Sequence, residues 1–138
     1  MRMRSIMIAL AATVFAPGVA LADSAMSVVG KTGPLQTGAA VYQHVCQGCH
    51  MPDGKGAVGA GARFPALASN PRLASPGYPV HVVLNGYGGM PWFSGMLSDR
   101  QVADVVNYVR THFGNHYTGS VTPEFVAAHA AHVNMEKE

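Results

Sequence analysis

Charge is scarce in this chain of 138 residues: 12% are Asp, Glu, Lys or Arg, and the basic residues form no run. A phosphate backbone or an anionic membrane is held by clustered Lys and Arg, so nucleic-acid binding and charge-driven membrane adhesion are excluded. Cysteine is nearly absent. Cys46 and Cys49 are the only two, and a bridge between them would close so small a loop that it would remove little entropy from the unfolded chain. A disulfide framework is therefore not their purpose. Long apolar runs are missing too. Ile6–Ala16 stops at Pro17-Gly18, far short of the roughly 20 apolar residues that cross a bilayer as a helix, which argues against a transmembrane anchor. There is no internal repeat, no low-complexity block and no sustained apolar–polar alternation. The expected fold is all-α, with short helices and long loops.

The short apolar run has a role of its own. Arg2 and Arg4 precede it, and Ala20-Leu21-Ala22 follows with the small-x-small spacing of a signal-peptidase site. Residues 1–22 are thus expected to be a cleaved signal peptide that delivers the chain to the periplasm. Its removal takes Arg2 and Arg4 from nine basic residues and leaves seven, against seven acidic ones. The remaining length suits one domain. Residues 23–36 read as a lead segment, 37–114 as the domain, and 115–138 as a C-terminal extension with a short helix.

Within the domain, Thr37 is placed to cap a helix running from Gly38 into the Cys46 region, with Ala39, Tyr42 and Val45 on one face. Pro65–Ser69 and Pro79–Leu84 read as two short helical turns, each opened by proline. The strongest helical pattern covers Asp99–Phe113. Ser98 and Gln101 form a capping-box pair, Val102, Val105, Val106 and Val109 follow the i, i+3, i+4, i+7 spacing, and Gly114 ends it. Thr122-Pro123-Glu124 opens a last helix able to dock Phe125, Val126 and Ala130. Gly54, Gly56, Gly59 and Gly61 interrupt the middle of the chain, so few large side chains remain to build a core. A bulky prosthetic group would supply the missing apolar mass.

Cys46-Gln47-Gly48-Cys49-His50 has the c-type haem attachment pattern. Two thiols on one turn are spaced for the two vinyl groups, and the adjoining histidine reaches the iron. A redox CxxC belongs after a strand in a βαβ setting, and a structural zinc site needs a second Cys/His pair. Neither context occurs. A second axial ligand has to come from the other haem face. The methionines beyond the leader are Met26, Met51, Met90, Met96 and Met135. Met51 is excluded because its Cα lies about 3.8 Å from that of His50. Met90 is the first choice, since Gly88 and Gly89 let the backbone approach closely and Pro91 fixes the following turn. Met96, better read as a core plug, remains an alternative, as do His81 and an open site. His129 and His132 lack a third ligand at metal-site spacing and read as a solvated helix face.

Over roughly Thr37–Gly114 the chain resembles the class I cytochromes c. In that family a glycine eight residues and an aromatic four residues before the first cysteine pack against an aromatic on the C-terminal helix. Here these are Gly38, Tyr42 and Tyr108. The stretch Asn85-Gly86-Tyr87-Gly88-Gly89-Met90-Pro91 resembles the family's distal-ligand motif. The resemblance implies that His50 donates its Nδ1–H to a proline carbonyl, for which Pro65 is the candidate, and that Leu67 packs on the haem face. Trp92, Phe93, Phe64 and Tyr87 are candidates to line the pocket, and Arg63, Asn85 and Tyr87 to meet the propionates.

What the resemblance implies is a periplasmic carrier of single electrons, not an enzyme, with one covalently attached haem c and its iron held by His50 and Met90. Phe113-Gly114-Asn115 and Val121–Val126 resemble the end of small cytochromes that serve periplasmic dehydrogenases. A dehydrogenase is the expected electron donor, and a respiratory-chain oxidase or another cytochrome the acceptor. The rival is a haem protein in which Met90 leaves and the iron senses a gas or reacts with peroxide. With so little charge, partner contact is expected to be mostly apolar, through Met51, Ala57, Val58, Pro91, Trp92 and Phe93.

Overall fold

The structure, a computed structural model, describes residues 35–59 and 62–135, without the side chains of Ala62 and of residues 131–135. The expected leader, residues 23–34 and the His132 side chain lie outside it. In chain order the elements are α1 (Gly38–Val41), a π-helical turn (Tyr42–Cys46), α2 (Gln47–His50), strands β1 (Ala57–Gly59) and β2 (Ala62–Phe64), a 3₁₀ turn (Pro71–Ala74), α3 (Gly77–Asn85), α4 (Asp99–Thr111) and α5 (Pro123–Met135).

The first three elements form one continuous helical stretch from Gly38 to His50. Thr37 caps it by accepting from the Ala40 amide at 3.1 Å. The π turn, in which Gln47 N–H reaches back to Tyr42 O, shifts the helical phase by one residue. Val41 and Tyr42 are buried, Val45 is half-buried, and Ala39, expected on the inner face, is exposed. Gly38 is where this stretch crosses α4. A Cβ there would run into the Asp104 carbonyl oxygen and lie 2.8 Å from Tyr108 Cβ. Only glycine lets the two backbones approach this closely. Tyr42 flanks the crossing, its ring centroid 5.6 Å from that of Tyr108 and 4.8 Å from that of Phe113.

Helix α4 is built as its pattern demands. Ser98 Oγ accepts from Gln101 N at 3.2 Å, and Gln101 Oε1 accepts from Ser98 N at 2.9 Å. Val102, Val105, Val106 and Val109 are all buried. The helix ends at Thr111, because His112 is extended and Phe113 takes a positive φ before Gly114 does. Helix α5 packs on α3 and α4, with Val126 fully buried and Phe125 and Ala130 against the core.

Two expectations are corrected. Residues 65–69 are not a helical turn: the Leu67 and Ala68 amides both donate to Gly54 O, at 2.7 and 2.9 Å, so they cross to another loop rather than closing a local turn. The glycine-rich stretch is not plain loop either. It contains a two-stranded antiparallel hairpin pairing Ala57 with Phe64, Val58 with Arg63 and Gly59 with Ala62. Both ends of this hairpin are tied to the helix end, through Gly56 N–His50 O at 3.0 Å and His50 Nδ1–Pro65 O at 3.0 Å. Three residues per strand with no core-facing side leave no alternation to read. Helix α3 starts at Gly77, ahead of Pro79, which sits in the first turn where its missing N–H costs nothing. Among the described residues no helix is long and apolar enough to cross a membrane.

Gly38→Ala tests the crossing. The added methyl forces the helices apart and should cost about 1–3 kcal/mol, seen as a lower urea midpoint at unchanged slope. An unchanged midpoint would mean that the crossing has slack.

Candidate haem site

The helices enclose an apolar cavity of about 290 Å³. Leu73 from the 3₁₀ turn, Pro79, Val82 and Val83 from α3, and Val105, Val106 and Val109 from α4 form its walls. Cys46, His50, Pro65, Leu67 and Met90 line it as well, although they come from the first helical stretch, the loop after the hairpin and the turn after α3. Five of the seven residues singled out for the cofactor thus meet at one cavity. Cys49 is exposed and Trp92 is 63% exposed, and neither is part of the lining.

His50 is buried at the end of α2. Its Nδ1 lies 3.0 Å from the Pro65 carbonyl oxygen. That oxygen can only accept, so Nδ1 carries the proton, and in the neutral ring Nε2 is left with a free lone pair suited to a metal. Tyr42 supports the same corner from behind by donating to Met51 O at 2.7 Å. Burial, and secondly the charge of Cys46, pushes the Tyr42 hydroxyl up to about 12. Burial likewise pushes the Cys46 thiol up to about 12, with the charge of Cys49 next in importance.

Met90 is held by a tight turn in which Tyr87 N donates to Met90 O at 3.1 Å and Met90 N to Tyr87 O at 3.0 Å. The crowded glycine here is Gly86 rather than Gly88 or Gly89. At a φ of +73° its Cβ would lie 2.5 Å from Met90 O, whereas neither of the other two meets anything within 4 Å. Met96 lies elsewhere. It is 40% exposed and not in the cavity lining, and the core plug before α4 is Leu97. Of the other candidates, Phe93 packs against the core, Phe64 lines a separate depression, and Asn85 donates to His81 O within α3. Tyr87 lines the cavity while remaining 72% exposed.

Sequence reasoning missed Asn70, Arg72 and Tyr78, the polar residues that also line the cavity. Arg72 Nη1 lies 3.4 Å from Tyr78 Oη, and the guanidinium also faces the Tyr78 ring. It also missed Asn115. This buried amide donates to Leu67 O and Val109 O, both at 2.8 Å, and accepts from Asn70 N at 3.0 Å. It thereby pegs the segment carrying Leu67 to the end of α4.

A second depression, of about 520 Å³, shares Pro65 and Arg72 with the cavity and is also lined by Lys55, Val58, Arg63 and Phe64. It holds no His, Cys or Met, so it offers iron no ligand. Three basic side chains reach this depression beside Val58, and Lys55 among them pairs with Asp53 at 3.1 Å. Among the described residues no group of three or more His, Cys, Asp or Glu is placed to hold a metal ion.

An apolar cavity that brings together one thiol of an attachment pair, a histidine with Nε2 free and a methionine thioether has the donor set of a c-type cytochrome domain. The chain belongs to the family described as cytochrome c oxidase, cbb3-type, subunit III, which matches residues 33–109. It is similar to the cytochrome c subunit of the quinone alcohol dehydrogenase of Gluconobacter oxydans, 35% identical over 109 residues, or 70% of this chain and 22% of that one. The gluconate 2-dehydrogenase cytochrome c subunit of Pantoea cypripedii is 37% identical over 120 residues, covering 77% of this chain and 26% of its own length. The fructose dehydrogenase cytochrome subunit of Gluconobacter japonicus is 34% identical over 93 residues, 56% of this chain and 19% of that one. The chain spans about a quarter or less of the length of these relatives.

Asn115→Ala would leave an amide and two carbonyls near the cavity without their partner. A loss of about 2–4 kcal/mol is expected in urea unfolding. A loss below about 1 kcal/mol would mean that water replaces the amide.

Proposed function

We propose that the chain is exported to the periplasm and carries single electrons on one covalently bound haem c, receiving them from a dehydrogenase and passing them to an oxidase or another cytochrome. The observation that carries this reading is the cavity itself, where Cys46, His50 and Met90 converge on apolar walls. Bound there, haem c supplies one-electron Fe(II)/Fe(III) exchange and no substrate chemistry. Cys46 and Cys49 contribute the thiols for thioether attachment. His50 binds the iron through Nε2, oriented by Pro65, and Met90 offers the second ligand. Val105, Val106, Val109 and Leu73 exclude water, while Arg72, Asn70 and Tyr78 provide polar atoms suited to the carboxylates. The dehydrogenase subunits among the relatives support a carrier over a gas sensor or peroxide enzyme.

Two measurements test the assignment. Haem should remain with the polypeptide through denaturation and acid-acetone extraction. Met90→Ala should abolish the near-infrared band of a methionine-ligated ferric haem, whereas Met96→Ala should leave it. Complete extraction of the haem would remove the covalent assignment, and the reverse mutant pattern would transfer the ligand to Met96.

Docking falls to the rim that joins the cavity to the neighbouring depression, where Pro65 and Arg72 are shared, Tyr87 is exposed on one side and Val58, 81% exposed, on the other. Redox encounters use small interfaces, below about 1,200 Å². Val58→Glu should therefore slow reduction by the cognate dehydrogenase severalfold with an unchanged haem spectrum, and an unaltered rate would move the contact face elsewhere.

A further inference from the structure

The functional reading leaves one buried charge unused. Arg110 follows directly after Val109 on α4 and is 2% exposed. Its guanidinium is bound entirely by backbone carbonyls: Nε donates to Leu73 O at 2.9 Å, Nη2 to Thr118 O at 2.8 Å and Ala74 O at 3.3 Å, and Nη1 to Gly119 O. No carboxylate pairs with it among the described residues, whose ion pairs are Lys55–Asp53 and Arg100–Asp104. Carbonyl dipoles satisfy its donors and leave its net positive charge in place.

The position of that charge matters. Leu73, whose carbonyl receives Nε, lines the cavity, and so does Val109, the residue next to it on α4. The cation therefore sits one layer of residues behind the wall, away from water, where its field is screened far less than that of the exposed Arg72 on the rim. Gaining an electron lowers the charge of a bound haem by one, and a fixed cation nearby favours that reduced form. We propose that Arg110 is a positioning residue for the electron energy: its unpaired buried charge raises the reduction potential of a haem held in this cavity. The inference rests on the haem reading above.

The competing role is purely structural, since the same guanidinium ties the 3₁₀ turn to residues 118–119. Three variants separate the two. Arg110→Met removes the charge and the donors, Arg110→Gln removes the charge but keeps amide donors, and Arg110→Lys keeps the charge but loses the planar fork. Midpoint potentials are to be measured on protein that retains covalent haem and the methionine band, together with urea stability. The Met and Gln variants should lower the one-electron equilibrium constant about tenfold, as one charge does across such a layer at an effective dielectric near 20. That corresponds to about 59 mV. The shift should persist at high salt, and Arg110→Lys should stay within about twofold of wild type despite its lost stability.

If Arg110→Met does not fold, the Gln and Lys pair decides. A Lys variant shifted as far as Gln, or potentials unchanged in every variant, would overturn the proposal. Wild-type protein without covalent haem would instead overturn the haem reading, so the two failures are distinguishable.

Discussion

The close crossing of Gly38 over α4 is the constraint on which the rest of the structure depends. It fixes the helical stretch that carries Cys46 and His50 against the helix that carries Val105, Val106 and Val109. Because a Cβ would collide with the Asp104 carbonyl, the approach is set by backbone rather than by adaptable side chains. Tyr42 and Tyr108 fill the flanks of the crossing. The distance between the motif and the opposite wall follows from this contact, and with it the width of the cavity.

Polar groups do much of the remaining work, because the apolar core is thin. Pro65 O receives His50 Nδ1, Asn115 joins residues 67 and 70 to α4, and Arg110 joins residues 73–74 to 118–119. All three connect loop backbone to something rigid. A carbonyl turned away from water would otherwise carry a desolvation penalty, so these bonds hold loops around the cavity that have no regular structure. The hairpin belongs to the same device, since both its ends are anchored to His50.

Charge is also organised by the fold. Lys55, Arg63 and Arg72 come from three separate places in the chain and meet on one depression beside the cavity, while Arg100 and Asp104 pair with each other on α4. A composition of nine basic and seven acidic residues hides this arrangement, because net charge carries no information about faces.

Much of the site was legible in the chain. The spacing of Cys46, Cys49 and His50 is local chemistry on one turn, the Ser98–Gln101 box and the valine period of α4 are local too, and Gly88, Gly89 and Pro91 marked the turn at Met90 because turns are specified by their own residues. The sequence by itself determined which groups are available to a haem and which valines of α4 turn inward, while the cavity they wall emerged only from the fold. Only the tertiary structure decided that Gly86 is the glycine of the turn that a Cβ would crowd, that Trp92 and Cys49 stand outside the cavity lining, and that Asn115 and Arg110 are pegs between loops and α4. The pegs depend on which backbone carbonyls lie opposite a side chain, for Leu73 and Leu67 across tens of residues of chain, and no periodicity or motif records such partners.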